Sequence, residues 1–343
     1  MRAAVIARFG GPEGVAVEEV PAPQPGAGEV LVQVQAAALN HLDLWVLKGG
    51  RAEVALPHIL GCEAAGTVAS VGPGVQSLSA GEEVLLHPGL SCGVCPFCRR
   101  GEHSECVEFG IIGMSRAGTF AELVAVPAGN VYPRPAHLSP SEAAALALAH
   151  LTAWRMLVVR ARLQPGETVL IHGIGGGVAL AGLQIAKLIG AEVLVTSSSD
   201  EKLSRARELG ADHTLNYAGA DVAAATREVT GGMGVDVVFE TVGAATWPAS
   251  IAGVRKGGRV VICGITTGAE GLTDLRALYW NQISLLGSTL GSADDFRQML
   301  RAVSATRLRP VVDSVYPLGG VREAMARMES GQQFGKIVLD LTA

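Results

Sequence analysis

A glycine-rich turn between an apolar strand and a helix constrains the fold of this chain more than any other segment. The apolar run Thr168–Ile171 precedes the turn, and the helix that follows it ends at Gly190. Glycine is needed where the chain turns sharply and where a Cβ would hold the backbone away from a phosphate; the helix N-terminus adds unpaired N–H groups and a positive dipole. The segment therefore predicts a dinucleotide pyrophosphate site, with contacts from Gly173, Gly175, Gly176, Gly177 and Val178.

Strands and helices alternate regularly beyond this turn. Further strands are predicted at 191–196, 213–215, 235–240 and 259–263. Asp200 is expected to cap one of the intervening helices, which ends at Gly210. Strands separated by helices build a parallel sheet that is wound on both faces, so residues 151–290 are assigned to a doubly wound dinucleotide-binding domain. The alternative, a flexible loop without a ligand, would require no such frame around the glycines.

The first part of the chain predicts a different architecture. Residues 1 to about 135 contain short alternating runs such as 29–34 and 66–71, separated by turn residues, which is typical of a twisted β domain. We assign residues 1–150 to this domain, the last of them in a helix predicted over 141–159. The tail, 291–343, is expected to return and complete it with helices at 294–303 and 321–329 and a strand at 336–341.

Charge and hydropathy narrow the possible partners. With 27 basic and 32 acidic residues the chain carries a net charge of −5, which gives no electrostatic reason to expect nucleic acid. The segment Met1–Arg8 lacks the apolar core of a signal peptide, and the longest apolar run, 143–154, is too short to span a membrane. We therefore expect a cytoplasmic protein that acts on a small molecule, with no nucleic-acid or membrane partner.

Four of the six cysteines lie in one short segment, as Cys92, Cys95, Cys98 and Cys106. Tetrahedral zinc takes four thiolates, and a closed four-sulfur site leaves no position open for a substrate. We therefore predict a structural zinc. An iron–sulfur cluster fits less well, because the bacterial ferredoxin spacing places its fourth cysteine three residues on and before a proline. Reduced thiols without a metal are the remaining alternative.

The end of the second predicted strand bears on the choice of dinucleotide. An acidic residue there binds the ribose hydroxyls of NAD. This chain instead has Ser197 and Ser198, followed by Lys202, and hydroxyl and ammonium groups can bind the 2′-phosphate of NADP(H). NADP(H) is therefore favoured over NAD(H), although Asp200 nearby is a carboxylate that would suit NAD(H).

Several motifs together resemble the medium-chain dehydrogenase/reductase superfamily, and within it the zinc-containing alcohol dehydrogenase and quinone oxidoreductase-like members. They include the sequences G-C-E-A-A-G at 61–66, G-E-E-V at 81–84, L-T-A-W at 151–154 and F-G-K-I-V at 334–338. The resemblance implies an α/β protein with a GroES-like catalytic domain, a Rossmann cofactor domain and hydride transfer in the cleft that separates them. It also implies a homodimer or homotetramer.

The same resemblance implies further site residues. Additional cofactor contacts are expected from His41, Thr152, Thr241, Val242, Gly264, Ile265 and Lys336. Where relatives with a catalytic zinc have a cysteine, a histidine and a second cysteine, this chain is expected to carry Asn40, Cys62 and His150, and Leu42 replaces a proton-relaying serine.

Two catalytic hypotheses remain open at this point. Cys62 and His150, with a carboxylate from Asp43 or Glu63, could hold a zinc that acts as a Lewis acid on a small apolar alcohol, aldehyde or ketone. Taken singly, each of these residues could equally belong to the core. In the alternative, a quinone or enone is reduced by NADPH without a catalytic zinc, and Asn40 and His150 donate hydrogen bonds to the developing charge.

Two hypotheses from other functional classes fit the sequence less well. A non-catalytic NADPH-binding protein would have no need for the retained set of reactive side chains, and an iron–sulfur electron carrier would need a different cysteine spacing. Trp45, Phe120 and Trp280 are candidate residues of an apolar substrate pocket.

Overall fold

The computed structural model describes residues 1–49 and 54–343. The chain divides into two compact units. The first unit consists of Met1–Leu148 and Ser292–Ala343, and the second is Ala149–Gly291. The C-terminal segment therefore belongs to the same unit as the N-terminal part of the chain.

The strands and helices of the described residues are numbered here in chain order. The strands are β1 Arg2–Ile6, β2 Val15–Glu19, β3 Glu29–Ala38, β4 His58–Ile59, β5 Glu63–Val71, β6 Glu83–Leu86, β7 Gly89–Leu90, β8 Gly110–Ile111, β9 Leu123–Pro127, β10 Val131–Pro133, β11 Thr168–Ile171, β12 Glu192–Ser197, β13 His213–Asn216, β14 Val235–Glu240, β15 Val254–Ile262, β16 Ser284–Gly287, β17 Val312–Pro317 and β18 Lys336–Asp340. The helices are α1 His41–Leu47, α2 Pro96–Arg99, α3 Pro140–Trp154, α4 Gly177–Ile189, α5 Asp200–Glu208, α6 Val222–Val229, α7 Trp247–Gly253, α8 Leu275–Trp280, α9 Ala293–Thr306 and α10 Val321–Glu329.

The first unit is built on a sheet in the order β10-β6-β5-β3-β18-β17, with β9 also paired to β3. The last strand, β18, is antiparallel to β3, with Val338 opposite Ala38. Alternating residues of β3, such as Val30, Val32 and Val34, are buried in the main core of this unit. The tail thus supplies an interior strand of the sheet.

The second unit is a parallel sheet in the order β13-β12-β11-β14-β15-β16. Its central strand β11 is fully buried over Val169–Ile171, which is typical of a parallel sheet covered on both faces. The strand order reverses between β11 and β14, and ligands of open α/β sheets bind beyond the carboxyl ends of the strands at such a point. The α/β fold class is confirmed.

Three local predictions were wrong in detail. Ser199, rather than Asp200, caps α5, because its Oγ is one residue earlier and accepts from the backbone N–H of Lys202 at 3.3 Å. Strand β15 begins at Val254 rather than at 259, because Val254 already pairs with Val235 of β14, ahead of an irregularity in the register that includes Gly257 with a φ of 70°. Helix α3 ends at Trp154 and continues as a π-helical segment, Arg155–Arg160, in place of α-helix up to 159.

Among the described residues, one helical stretch is long and apolar enough to cross a membrane, Pro140–Arg160. Its most apolar window is 72% buried inside the protein. The apolar character of this stretch is therefore that of a core helix, because its side chains are already covered by the protein's own packing.

Candidate functional site

The four cysteines of the first unit converge on one point. Their sulfur atoms all lie within 4.8 Å of one another, and the closest pairs, Cys95–Cys98 and Cys92–Cys106, are separated by 3.5 Å. Backbone N–H groups also point at the sulfurs, since the N–H of Cys92 donates to Cys106 Sγ at 3.2 Å. Glycines with positive φ, Gly93 at 74° and Gly101 at 83°, allow the loop to curl around this point.

This arrangement fits a zinc ion. A tetrahedral ion with Zn–S bonds of about 2.3 Å requires sulfurs roughly 3.8 Å apart, close to the distances found. The cysteines are all free, so no disulfide competes for them. Within residues 1–49 and 54–343, this is the only group of three or more His, Cys, Asp or Glu side chains close enough to hold one metal ion.

Asn40 and Asp43 form the start of α1. The Asp43 carboxylate accepts from the backbone N–H of Asn40 at 2.7 Å and from that of Gly61 at 3.1 Å, one bond to each oxygen. Asn40 and Asp43 thereby form a capping box. Burial raises the pKa of Asp43 to about 7, against the opposing effect of the hydrogen bond from Asn40. Both oxygens of Asp43 are therefore occupied in holding the backbone.

Lys336 and Glu63 form a buried ion pair in the same unit. The Lys336 ammonium lies 2.7 Å from Glu63 Oε1 and donates to Asn40 Oδ1 and to the carbonyl of Leu39, at 2.6 Å in each case. Glu63 Oε1 also accepts from Asn40 Nδ2 at 2.7 Å, and its other oxygen accepts from the backbone N–H of Leu148. The three ammonium hydrogens of Lys336 are thus matched by three acceptors inside the first unit.

Cys62 lies at the edge of this cluster and is fully buried. Its sulfur is 3.3 Å from Asn40 Nδ2. Burial, reinforced by the nearby carboxylates of Asp43 and Glu63, raises the pKa of the Cys62 thiol well above its usual range. In this structure Cys62 and Asp43 already have partners within the first unit: Asn40 Nδ2 lies beside the sulfur, and two backbone N–H groups donate to the carboxylate.

His150 belongs to the second unit, where it is buried. Its Nε2 lies 2.9 Å from Gln184 Oε1, and because that oxygen only accepts, the ring proton is assigned to Nε2. A histidine oriented in this way presents Nδ1 as its lone-pair nitrogen, which is the arrangement common among metal ligands. Of the three predicted zinc ligands, His150 therefore has the surroundings that suit the role.

The glycine turn has the backbone conformation that the sequence predicts. Gly173 and Gly175 have φ of 65° and 123°, in the left-handed region that favours glycine, and Gly176 is the N-cap of α4. A Cβ on Gly175 would lie 2.9 Å from Cδ and 3.3 Å from Nζ of Lys202. The Lys202 side chain therefore extends over the turn, and its ammonium group is close to the helix N-terminus that would receive phosphate.

The serines near Lys202 have distinct environments. Ser197 ends β12 and is buried, and its hydroxyl accepts from the backbone N–H of Ser199 at 3.1 Å. Ser198 is exposed. Asp200 is exposed too, and it accepts from Asn216 Nδ2 at 2.7 Å. Ser197 and Ser198 thus lie at the end of the second strand, and Lys202 follows in the first turn of α5.

The turns that follow β14 and β15 pack closely against each other. A Cβ on Gly264 would lie 2.9 Å from the carbonyl oxygen of Thr241, and the carbonyl of Val242 accepts from the N–H of Thr267 at 2.9 Å. Thr241, Val242, Gly264 and Ile265 are half-buried. The structure brings these predicted cofactor contacts together at the carboxyl end of the parallel sheet.

The remaining predicted residues are more scattered. His41 is exposed at the first position of α1, Thr152 is buried in α3, and Val178 is half-buried at the start of α4. Phe120 was wrong as a pocket residue, because it is fully buried in the main core of the first unit. Trp45 is half-buried, while Trp280 is 65% exposed on α8.

A buried polar cluster of His172, Glu240 and Ser250 lies outside the set of residues predicted from the sequence. A signal was present: His172 follows the apolar run of β11, and Glu240 ends the apolar run of β14. Polar side chains at the carboxyl ends of adjacent parallel strands meet at the ligand-binding edge of the sheet.

Comparison with known proteins agrees with this geometry. Residues 26–136 match the alcohol dehydrogenase GroES-like domain, and residues 177–305 match the zinc-binding dehydrogenase domain. An alcohol dehydrogenase of Geobacillus stearothermophilus is 34% identical over 342 residues, which cover 99% of each chain.

Two solved structures are similar along their whole length. An NAD-dependent alcohol dehydrogenase is 44% identical, with a TM-score of 0.96, and the match covers 99% of this chain and 100% of the other. The thermostable alcohol dehydrogenase from Pyrobaculum aerophilum, solved with cobalt and zinc bound, is 37% identical with a TM-score of 0.90, and 99% of each chain is covered.

A four-cysteine lobe in a β-rich unit and a glycine turn in a doubly wound unit define a zinc-containing, dinucleotide-dependent oxidoreductase. The chain belongs to the zinc-type alcohol dehydrogenases of the medium-chain dehydrogenase/reductase superfamily. It is an alcohol dehydrogenase-like oxidoreductase that uses a nicotinamide cofactor. The predicted family, with its GroES-like and dinucleotide-binding domains, is confirmed.

Proposed function

We propose that this chain transfers hydride from a nicotinamide dinucleotide to a small apolar enone or quinone, with zinc confined to the four-cysteine lobe. The observation that carries the proposal is the buried cluster of Asn40, Glu63 and Lys336, whose polar atoms bond one another. Cys62 and both candidate carboxylates for a catalytic zinc, Asp43 and Glu63, are bonded to Asn40 in the same region. The substrate must therefore be one that needs little electrophilic help.

Conjugated carbonyl compounds meet this requirement. Hydride adds to the carbon β to the carbonyl of an enone, the nicotinamide is oxidised, and the electron pair of the double bond moves onto the carbonyl oxygen as an enolate. A proton from solvent then gives the saturated ketone. Because the negative charge of the enolate is delocalised, the reaction depends mainly on holding the dinucleotide and the substrate in a productive orientation.

The proposed dinucleotide is NADP(H). Its support is that the strand which ends at Ser197, with Ser198 directly after it, has no carboxylate at those positions, and that the Lys202 ammonium lies close to the glycine turn. Lys202→Ala is expected to weaken NADPH binding about tenfold more than NADH binding, since only NADPH carries the 2′-phosphate. Fluorescence titration with both dinucleotides measures this, and equal weakening of the two would assign Lys202 to the pyrophosphate instead.

A second candidate function is zinc-assisted oxidation of a small alcohol. One observation favours it: the bond from His150 to Gln184 presents Nδ1 as a zinc ligand's nitrogen would be presented. In that case the metal would polarise the substrate oxygen as a Lewis acid.

Zinc content and substrate preference separate the two candidates. Protein purified without chelator is expected to contain about one zinc per chain, which Cys62→Ala retains and Cys98→Ser loses. NADPH oxidation is expected with 2-cyclohexen-1-one and benzoquinone, and far less with cyclohexanone. Two zincs that fall to one in Cys62→Ala, together with oxidation of benzyl alcohol, would establish the zinc-assisted reaction instead.

We also propose that the chain forms a homodimer or homotetramer, as the resemblance to its family implies. Strand β16 is an edge strand of the parallel sheet, and Tyr279 and Trp280 on the neighbouring α8 are about two-thirds exposed. Large exposed apolar side chains beside an open strand edge are typical of an interface. Light scattering on the intact chain and on Trp280→Lys tests the assignment, and a monomeric intact chain would contradict it.

A further inference from the structure

Three fully buried polar side chains are linked in a row in the second unit. Ser250, in α7, lies between Glu240 at the end of β14 and His172 just after β11. Ser250 Oγ is 2.6 Å from Glu240 Oε2 and 3.0 Å from His172 Nε2. Burying polar side chains costs free energy unless they form hydrogen bonds with one another. The position of this row in the fold therefore needs a physical explanation.

The positions of the protons follow from the acceptors. Ser250 has one hydroxyl proton, and its short contact with a carboxylate places that proton toward Glu240. Ser250 therefore accepts from Nε2–H of His172, whose pKa burial lowers despite the opposing charge of Glu240. Because the serine lies between the imidazole and the carboxylate, the order differs from that of a nucleophilic triad, in which the histidine is central.

Glu240 has further partners in the turn that follows its own strand. Its Oε1 accepts from the backbone N–H of Val242 at 2.7 Å and from that of Gly243 at 3.0 Å. The Thr246 hydroxyl lies 2.9 and 2.8 Å from the two carboxylate oxygens. The Glu240 carboxylate thus fixes the backbone of the turn at 241–243 through hydrogen bonds.

The turn held by Glu240 is in contact with the glycine turn. A Cβ on Gly173 would lie 3.2 Å from Cγ2 of Val242. Strands β11 and β14, which lead into these two turns, are neighbours at the point where the strand order of the sheet reverses. A dinucleotide binds across such a point.

We propose that His172, Ser250 and Glu240 form a positioning relay that fixes the turn at 241–243 in the shape that receives the dinucleotide. Glu240 acts through the N–H groups of Val242 and Gly243, and Ser250 connects it to the strand end that leads into the glycine turn. None of the three touches the reacting atoms. The relay rests on the proposed function only in requiring that this unit binds a dinucleotide.

Glu240→Gln tests the relay with little change in shape. The amide keeps one acceptor oxygen, but its NH2 group cannot accept from the hydroxyls and N–H groups that now share two oxygens. We expect the Kd for the preferred dinucleotide, measured by fluorescence titration, to rise at least tenfold. In the protein without dinucleotide, hydrogen–deuterium exchange of the peptide covering 241–246 is expected to be faster, because two of its N–H bonds are weakened.

Two further variants complete the experiment. Ser250→Ala breaks the row at its centre and leaves the bonds from Glu240 to the turn, so a weaker effect of about threefold on Kd is expected. It also serves if Glu240→Gln does not fold. Thr226→Val is the matched control, because Thr226 is a fully buried hydroxyl of the same unit, bonded to its own helix at Val222.

The outcomes distinguish the relay from the proposed function. If the unaltered chain binds no dinucleotide, both are overturned. If the unaltered chain binds one and Glu240→Gln binds it within twofold, with exchange at 241–246 unchanged, the relay alone is overturned. Equal losses in Glu240→Gln and in Thr226→Val would reflect general destabilisation and would also overturn it.

Discussion

Two regions of the first unit contain residues that bind metals elsewhere, and their surroundings differ completely. In the four-cysteine lobe the sulfurs face one another, and backbone N–H groups donate to them. In the cluster around Cys62, the carboxylate of Glu63 faces the ammonium of Lys336, and that of Asp43 holds two backbone N–H groups. The comparison teaches that residue type alone does not mark a metal site, and that the potential ligand atoms must also face one another at metal-binding distances.

Loss of a lobe sulfur is expected to have the largest effect. Cys98→Ser removes one of the four ligands, so zinc should fall from about one per chain to near zero, and thermal unfolding should shift down by several degrees. Zinc content by mass spectrometry and calorimetry measure both. Cys62→Ser is the matched control with the same atomic exchange, and loss of zinc in this control as well would erase the distinction between the two regions.

Breaking the buried ion pair should come next in size. Lys336→Met leaves Glu63 buried without its cation, which costs about 3–5 kcal/mol of unfolding free energy. Adding Glu63→Gln should recover part of that loss, because the uncompensated charge is gone. Urea unfolding of the single and double variants measures the recovery. A Lys336→Met protein as stable as the unaltered chain would show that the pair is not needed for folding.

The pH dependence of the cluster provides a smaller effect. The folded-state pKa of Asp43 is about 7, above the unfolded value near 3.9, so the folded chain holds a proton that the unfolded chain releases in this window. Stability should therefore decrease from pH 5.5 to 7, by at most about 1.4 kcal/mol per pH unit from this group, and level off above pH 7.

Asp43→Asn isolates this contribution, because an amide does not titrate. The variant should be less stable at low pH, since it cannot accept from both Asn40 and Gly61, but its stability should decrease less between pH 5.5 and 7. Urea unfolding at several pH values gives the slope of each protein. Identical slopes would mean that Asp43 is already ionised in the folded chain.

The smallest effect is expected from Cys62→Ala. The change removes one buried sulfur and leaves a small cavity, at a cost of about 1 kcal/mol. The zinc content should stay the same. A larger loss of stability that is accompanied by loss of zinc would place Cys62 in a metal site. The two regions would then both bind metal, and the difference between them would be contradicted.

Much of the fold follows from periodicity and turn chemistry. The apolar runs of β11 and β14 and the glycines between β11 and α4 are local signals, and they predicted those elements at the observed residues. The N-cap of α5 could not be decided in this way, because Ser199 and Asp200 are adjacent and both are good caps. A choice between neighbours depends on backbone angles that no local pattern contains.

The candidate site was less accessible to sequence reasoning. The four cysteines lie within fifteen residues, so their spacing alone predicted that they converge. The pairing of Lys336 with Glu63 joins residues 273 positions apart and depends on β18 lying beside β3. That Lys336 contacts the cofactor and that Cys62 binds a metal both stay predictions. Such roles depend on partner residues from strands that are distant in sequence.

The interior position of β18 has a consequence for folding during synthesis. The sheet of the first unit lacks the strand between β3 and β17 until the ribosome has added Lys336–Asp340. At a synthesis rate of about 5–20 residues per second, this edge of β3 stays without its partner strand for roughly 15–60 s. The second unit is one continuous segment and can fold before that time. The second unit of a nascent chain should therefore be folded before the sheet of the first unit is complete. We expect chaperones that bind exposed strand edges to bind the nascent chain during that interval.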